Sequence, residues 1–262
     1  MAGIDGTPRD EREHSIRSIM KQAGLGGMVP SVLYKYVVPE RIDVLREKRI
    51  RFTQPCFLND PFEFLLGGPD DPAHFEAKCD RKRQAEFLEK SRLYGVVSLT
   101  RRNNSIPMWT FYAASHRGFA IGFDTTSSFF RRAIDDRNLR RVDYGSQRVI
   151  STRGLPPDQP WVKPDAVLLM KSADWKHEEE WRWIDCCGPD GYDEVGSTPN
   201  GEPVYLRSIP PGSILEVILG CRATSDLAES IHALKSTAEY QHLKVLKVAL
   251  SRSRYDLEIE AM

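Results

Sequence analysis

Chemistry in this 262-residue chain is concentrated in a few short segments. The densest is Lys171-x-x-x-Trp175-x-x-Glu178-Glu179-Glu180-Trp181-Arg182-Trp183. If a strand begins near Glu178, alternation puts Glu178, Glu180 and Arg182 on one face and Glu179, Trp181 and Trp183 on the other. Two tryptophans on one face are suited to a core. The carboxylates and Arg182 then line a cleft or meet water as a cross-strand ion pair. A second segment, Met108-Trp109-x-x-Tyr112-Ala113-x-x-His116-x-Gly118, spaces Trp109, Tyr112 and His116 at i, i+3 and i+7. On a helix these share a face. They can wall a flat ring, or Trp109 and Tyr112 can anchor the core while His116 bonds a backbone group.

Two further segments are shorter. Asn59-Asp60-Pro61-Phe62-Glu63 is a turn signal whose side chains can lock their own loop. Leu33-Tyr34-Lys35-Tyr36 is a short β-prone run, too short to be specific alone. No P-loop, strand-linked G-x-G-x-x-G, G-x-S-x-G or kinase signature is present. Metal chemistry has little to work with. Five cysteines lack C-x-x-C spacing, and six histidines include no H-E-x-x-H, so no metal site is expected and the thiols read as reduced and mostly buried.

These segments need a scaffold. Residues 1–30 read as an N-terminal extension with a polar helix near residues 10–22, and residues 31–262 as a single α+β domain. Strands are expected at 32–36, 50–52, 94–99, 118–123, 180–186, 203–207, 213–219, 243–250 and 255–259. A helix opening at Pro39 would carry Ile42 and Leu45 on one face, and others are expected at 72–92, 106–115 and 225–234. The arginines from Arg131 to Arg141 mark a mobile basic section, ending in a loop around Pro156, Pro157 and Pro160. Strands of mixed order with segregated helices predict a twisted, partly split mixed or antiparallel sheet.

Composition narrows the function classes. Thirty-seven basic residues balance thirty-seven acidic ones, which argues against a general nucleic-acid coat. No run approaches a membrane span or a signal peptide, so a cytoplasmic protein without a membrane partner is expected.

In this order, the four motifs resemble those of a widespread bacterial family of unknown function, with L-Y-K-Y, N-D-P-F-E, M-W-x-x-Y-A-x-x-H-x-G and W-x-x-E-x-E-W-R segments. More distantly, the chain resembles the ADP-ribosyltransferase fold, especially toxins that modify nucleic acid bases. That resemblance implies an early strand whose polar residue reaches NAD, here Lys35 or Tyr36. It also implies a middle strand with Ser98 and a late strand opened by the glutamate Glu180; a lysine stands where such enzymes often have His or Arg.

The implied activity is ADP-ribosyl transfer from NAD, or NAD hydrolysis, with Glu180, Glu178 and His116 as catalytic residues. The implied NAD contacts are Tyr34, Lys35, Tyr36, Arg51, Asn59, Ser98, Trp109, Tyr112 and Arg182. The acceptor is open: protein, nucleic acid or small molecule. Two other readings remain, a non-catalytic ligand- or nucleic-acid-binding module of the same fold, and a metal-dependent nuclease or hydrolase using Asp60, Glu63 and Glu180.

Overall fold

The computed structural model describes residues 28–63, 85, 89, 92–148, 167–186, 194–199, 201 and 203–262. The expected polar helix at 10–22 and the loop at Pro156–Pro160 lie outside them. So does the 72–92 segment, apart from Ala85 and Glu89, which are helical and exposed, and Arg92, in the turn that follows.

Alternating apolar residues generate the strands. β1 (Val32–Val37) leads through a 3-10 turn at Pro39–Arg41 and a one-turn helix, α1 (Asp43–Arg46), into β2 (Arg49–Phe52). Proline at the turn's first position supplies a preset φ where no N–H is needed. Then come β3 (Tyr94–Thr100), α2 (Ile106–Tyr112) and β4 (Phe119–Asp124). The basic section is ordered: α3 (Ser128–Asp135) buries Phe130 and Ala133, and β5 (Leu139–Arg141) follows. Its apolar residues recur at helical spacing, so the arginines occupy the outer face.

β6 (Asp143–Gly145) and β7 (Met170–Ser172) form a parallel pair. The remaining elements are β8 (Glu180–Cys186), β9 (Glu194–Ser197), β10 (Pro203–Ser208), β11 (Ile214–Leu219), α4 (Ser225–Lys235), β12 (Lys244–Leu250) and β13 (Leu257–Ala261).

The architecture is α+β. An eight-stranded sheet runs β13-β12-β11-β4-β1-β3-β8-β5, with β2-β10-β9 as a second, smaller sheet. Among the described residues of the large sheet, β11 and β12 pair in parallel and the other neighbouring strands are antiparallel. One face packs Leu33, Val97, Leu99, Trp181 and Trp183 against α3 and α4. The other packs Tyr34, Tyr36 and Ala120 against Met108 and Trp109 of α2. Trp181 and Trp183 are therefore core residues, as alternation predicts.

The sheet is weakly joined at one seam. β1 pairs with β4 along its whole length but meets β3 at a single position, Tyr34 opposite Thr100. β3 then pairs with β8 from Tyr94–Cys186 to Thr100–Glu180. Tyr34, Thr100 and Glu180 thus form one row across three strands, and the sheet opens beyond that row.

α2 is shorter than expected. It ends at Tyr112, after which Ala114, Ser115 and His116 adopt φ of 48°, 55° and 70°. Left-handed backbone is costly for residues with a Cβ, so the turn must be held from outside. The His116 carbonyl accepts from Arg222 N, and the Gly118 carbonyl from Gly220 N. Of the described cysteines, Cys56 and Cys186 are exposed and Cys221 half-buried, which corrects the expectation of mostly buried thiols.

A Cβ at Gly220 would sit 2.1 Å from the His116 carbonyl oxygen, whereas one at Gly212 would meet nothing within 4 Å. Gly220→Ala is expected to lower stability by about 1–3 kcal/mol or more by forcing backbone apart. Gly212→Ala should leave the unfolding free energy, read from urea titration of both variants, within about 0.5 kcal/mol of wild type.

Candidate functional site

The open seam between β1 and β3 holds a cavity of about 240 Å³. β1 contributes Tyr34, Lys35 and Tyr36, and β3 contributes Ser98 and Thr100. The loop after β2 contributes Phe57, Asn59 and Glu63, α2 contributes Met108 and Tyr112, and β7, the 3-10 helix after it and the start of β8 contribute Lys171, Glu178 and Glu180 in turn. All four sequence motifs therefore reach one cavity.

Beneath it lies a buried ionic cluster. Lys171 Nζ stands 2.6 Å from Glu178, 3.3 Å from Glu180 and 3.3 Å from Glu63, with its charge over the Trp175 ring. Arg182 grips Glu180 through Nε at 2.8 Å and Nη2 at 3.1 Å, and donates from Nη1 to the Leu168 carbonyl. Its Nη2 also lies 2.6 Å from Glu63. Both Glu63 oxygens are paired by charge without the angles of a good hydrogen bond, so those contacts are ionic rather than directional. Three carboxylates thus share two fixed cations, Lys171 and Arg182.

Local backbone geometry brings the glutamates together. Residues 173–178 form a 3-10 helix, and Glu179 then adopts a left-handed φ of 46° before β8 begins. Thr100 Oγ1 donates to the Glu178 carbonyl at 2.5 Å, and Arg101 and Arg102 both pair with the Glu179 carboxylate. Glu178 thus reaches the cavity from the end of a helix rather than from a strand. Tyr112 donates to Glu178 Oε1 at 2.5 Å and accepts from Asn59 at 2.9 Å. Tyr144 accepts from the Glu180 backbone N–H.

These surroundings set the protonation states. Burial pushes the Glu180 carboxyl up, but Arg182, Lys171 and Ser98 outweigh it and hold it down at about 2. Glu63 moves the other way, because burial and Glu180 outweigh its two cations. Burial and the Glu178 carboxylate keep the Tyr112 phenol protonated well above its usual range. Burial lowers the Lys35 ammonium to about 8, with Glu180 opposing that shift and Arg41 reinforcing it.

Several expected site residues lie elsewhere. Trp109 is fully buried, with Nε1 bonded to the Asn103 carbonyl, so it is a core anchor with no face open to a ligand. His116 leaves the helical register through the left-handed turn and lies nearly parallel to the Trp109 ring, 6.4 Å away. Neither lines the cavity, and neither do Arg51 or the arginines from Arg131 to Arg141. Arg182 lies behind the cavity wall rather than on it, committed to Glu63 and Glu180. Asp60 accepts from Phe62 N and locks its loop, while Glu63 joins the cluster. Of the three carboxylates in the metal-site reading, Glu63 and Glu180 are each paired with the Lys171 ammonium at 3.3 Å, and Asp60 is turned to its own loop instead.

Lys171 was given no role by its sequence context, although it opens the motif that contains Glu178 and Glu180. The available signal was charge: three successive glutamates beside two core tryptophans require nearby cations, and Arg182 alone cannot balance them.

Glu180 supplies a pH test. A carboxyl depressed in the folded state stabilises it above the unfolded pKa, and that contribution fades as pH falls through the folded value. Glu180→Gln leaves Arg182 and Lys171 short of a charge and should cost about 3–5 kcal/mol at pH 7. The deficit relative to wild type should shrink between about pH 4.5 and about pH 2, as read from denaturant unfolding at each pH. A deficit constant across that window would contradict the assigned ionisation.

Among the described residues no helix is long and apolar enough to cross a membrane. Comparison with curated proteins and with solved structures finds no match. Residues 108–183, which contain the Met108-Trp109 and Trp175–Trp183 motifs, match a family described as protein of unknown function (DUF2971).

Proposed function

We propose that the chain is an NAD-consuming enzyme that cleaves the nicotinamide–ribose bond and passes the ADP-ribosyl group to an acceptor or to water. The observation that carries this reading is the convergence of Lys35, Ser98 and Glu180, from three neighbouring strands, on one cavity. These are the positions that the resemblance to ADP-ribosyltransferases assigns to NAD contact and catalysis.

The cavity suits a flat cation next to a sugar. Nicotinamide in NAD is a positively charged ring, and Tyr34, Tyr36, Phe57 and Tyr112 offer aromatic surface beside three carboxylates. About 240 Å³ is less than the roughly 300–1,000 Å³ of sites that enclose drug-sized ligands. In this reading the nicotinamide-ribosyl half enters and the adenosine half stays outside.

The chemistry follows from the charges. As the glycosidic bond breaks, nicotinamide leaves with the bonding electrons and becomes neutral, while positive charge develops on the ribosyl carbon. A carboxylate already ionised and held by Arg182 stabilises that charge without reorganising. Glu180 fills this role and stays anionic throughout the neutral range. Glu178, oriented by Tyr112 and Lys171, takes the proton of the incoming nucleophile. Tyr112, protonated, donates throughout.

Nicotinamide release from NAD, followed by chromatography, tests the proposal. Glu180→Gln should lower kcat by about 10²–10³-fold. Because that variant also disturbs the buried ion pairs, Tyr112→Phe and Glu178→Gln serve as companions, with each melting midpoint measured in parallel. Tyr112→Phe removes only the hydroxyl that donates to Glu178 and should reduce kcat about tenfold, at a cost of about 1–3 kcal/mol in stability, less than that of Glu180→Gln. Wild-type protein that neither binds NAD nor releases nicotinamide sinks the proposal; full release by folded Glu180→Gln sinks the assignment of that residue.

A further inference from the structure

Two lysines line the same cavity, and their surroundings differ sharply. Lys171 is ion-paired with three carboxylates, each within 3.3 Å. Lys35 makes one long hydrogen bond, 3.3 Å to the Ser98 carbonyl, and has no salt bridge among the described residues. The first ammonium is fully engaged in holding the cluster. The second brings three N–H bonds to a cavity wall and uses one of them, on a neutral partner.

The cause is topological. Alternation along β1 puts Lys35 with Leu33 and Val37, on the face that packs the core. A lysine there is tolerated because β1 and β3 separate beyond the Tyr34–Thr100 pair, so the side chain ends at the seam. Its charged neighbours come from several elements. Glu180 at the start of β8 attracts the ammonium, whereas Arg41 in the turn after β1 repels it. Glu63, Glu178 and Lys171 face the same space from the loop, the 3-10 helix and β7, and Tyr34, Tyr36 and Tyr112 add hydroxyls.

We infer that Lys35 is an amine nucleophile placed to condense with the aldehyde carbon of a ribosyl ligand in this cavity, so that the protein captures reducing sugar at that one lysine. The ribosyl identity rests on the NAD reading above; the reactivity of the amine does not. The neutral amine, having released its proton to water, donates its lone pair to the carbonyl carbon of the open-chain sugar. A C–N bond forms, the carbonyl oxygen takes a proton, and the carbinolamine loses water to give an imine. No oxidant or reductant is needed. Free ADP-ribose, the product of NAD hydrolysis, carries such a carbon at C1, so turnover with water as acceptor would generate the capturing reagent.

The lowered ammonium pKa agrees with this geometry. At pH 7 an amine with a pKa of about 8 is neutral a few hundredfold more often than an ordinary exposed lysine. Exposed Lys244 and Lys247 provide internal controls on the same chain.

The test is reductive trapping at pH 7 with cyanoborohydride, which adds hydride to the imine and makes the link permanent, followed by peptide mass mapping. One sample receives glycolaldehyde, small enough to enter whatever the cavity's natural ligand, and a second receives ADP-ribose. Lys35 should be modified at least tenfold faster than Lys244 or Lys247 by both, and Lys35→Arg should lose that fast site while retaining the slow ones. Uniform labelling across the lysines, or an unlabelled Lys35 in both samples, overturns the inference. Labelling by glycolaldehyde alone overturns the ribosyl part. Nicotinamide release in the same preparation then separates the two failures. Release without ADP-ribose capture retires this inference and leaves the NAD reading standing, whereas glycolaldehyde capture without release or NAD binding retires the NAD reading and leaves a reactive amine.

Discussion

One buried ammonium organises this molecule. Lys171 draws Glu63 from the loop after β2, Glu178 from the end of a 3-10 helix and Glu180 from the first position of β8 to a single point. Three carboxylates at that distance would repel one another by several kcal/mol in a medium of low dielectric, and without Lys171 they would have to separate or protonate. The cost of burying these charges is offset only if every partner is present, which explains why Arg182 is itself almost completely buried and spends its donors on Glu180, Glu63 and the Leu168 carbonyl.

The second constraint is the seam. Where β1 meets β3 at one pair, the sheet cannot close over the cluster, and the tyrosines of β1 and α2 stand around the opening. Fixed anionic charge lies below, aromatic surface stands around, and a singly bonded lysine sits to one side. That combination gives the cavity its character. It also explains why Tyr112 matters more than Trp109, although both come from one helix. Tyr112 closes the helix and turns toward Glu178, while Trp109, three residues earlier, is sealed against Tyr36 at a ring separation of 4.9 Å.

Much of this was legible in the residues. Alternation around Trp181 and Trp183 correctly separated core side chains from the charged face that carries Glu180, and the β1, β3 and β4 strands fall within a residue or two of their expected limits. His116 was misplaced because periodicity extends a helix until a glycine or proline stops it. Here three left-handed residues, none of them glycine, turn the chain first, held by contacts with residues 220–222 that lie a hundred positions away in sequence. Lys171 went unassigned for a related reason. Its value lies in meeting Glu63, more than a hundred residues earlier, and no local pattern encodes that meeting. The order within the basic section, α3 and β5, was visible in the spacing of Phe130 and Ala133 but obscured by the arginines around them.

The central claim is that the cluster prepares the seam to receive the cationic nicotinamide-ribosyl end of NAD. Calorimetric titration of NAD into folded Glu178→Gln protein, where turnover is suppressed, tests it most directly. The account predicts one-to-one binding that N1-methylnicotinamide, which carries the same cationic ring, competes away and that NADH, whose ring is neutral, fails to reproduce at equal concentration. No heat of binding at millimolar NAD, or equal binding of NAD and NADH, would contradict it.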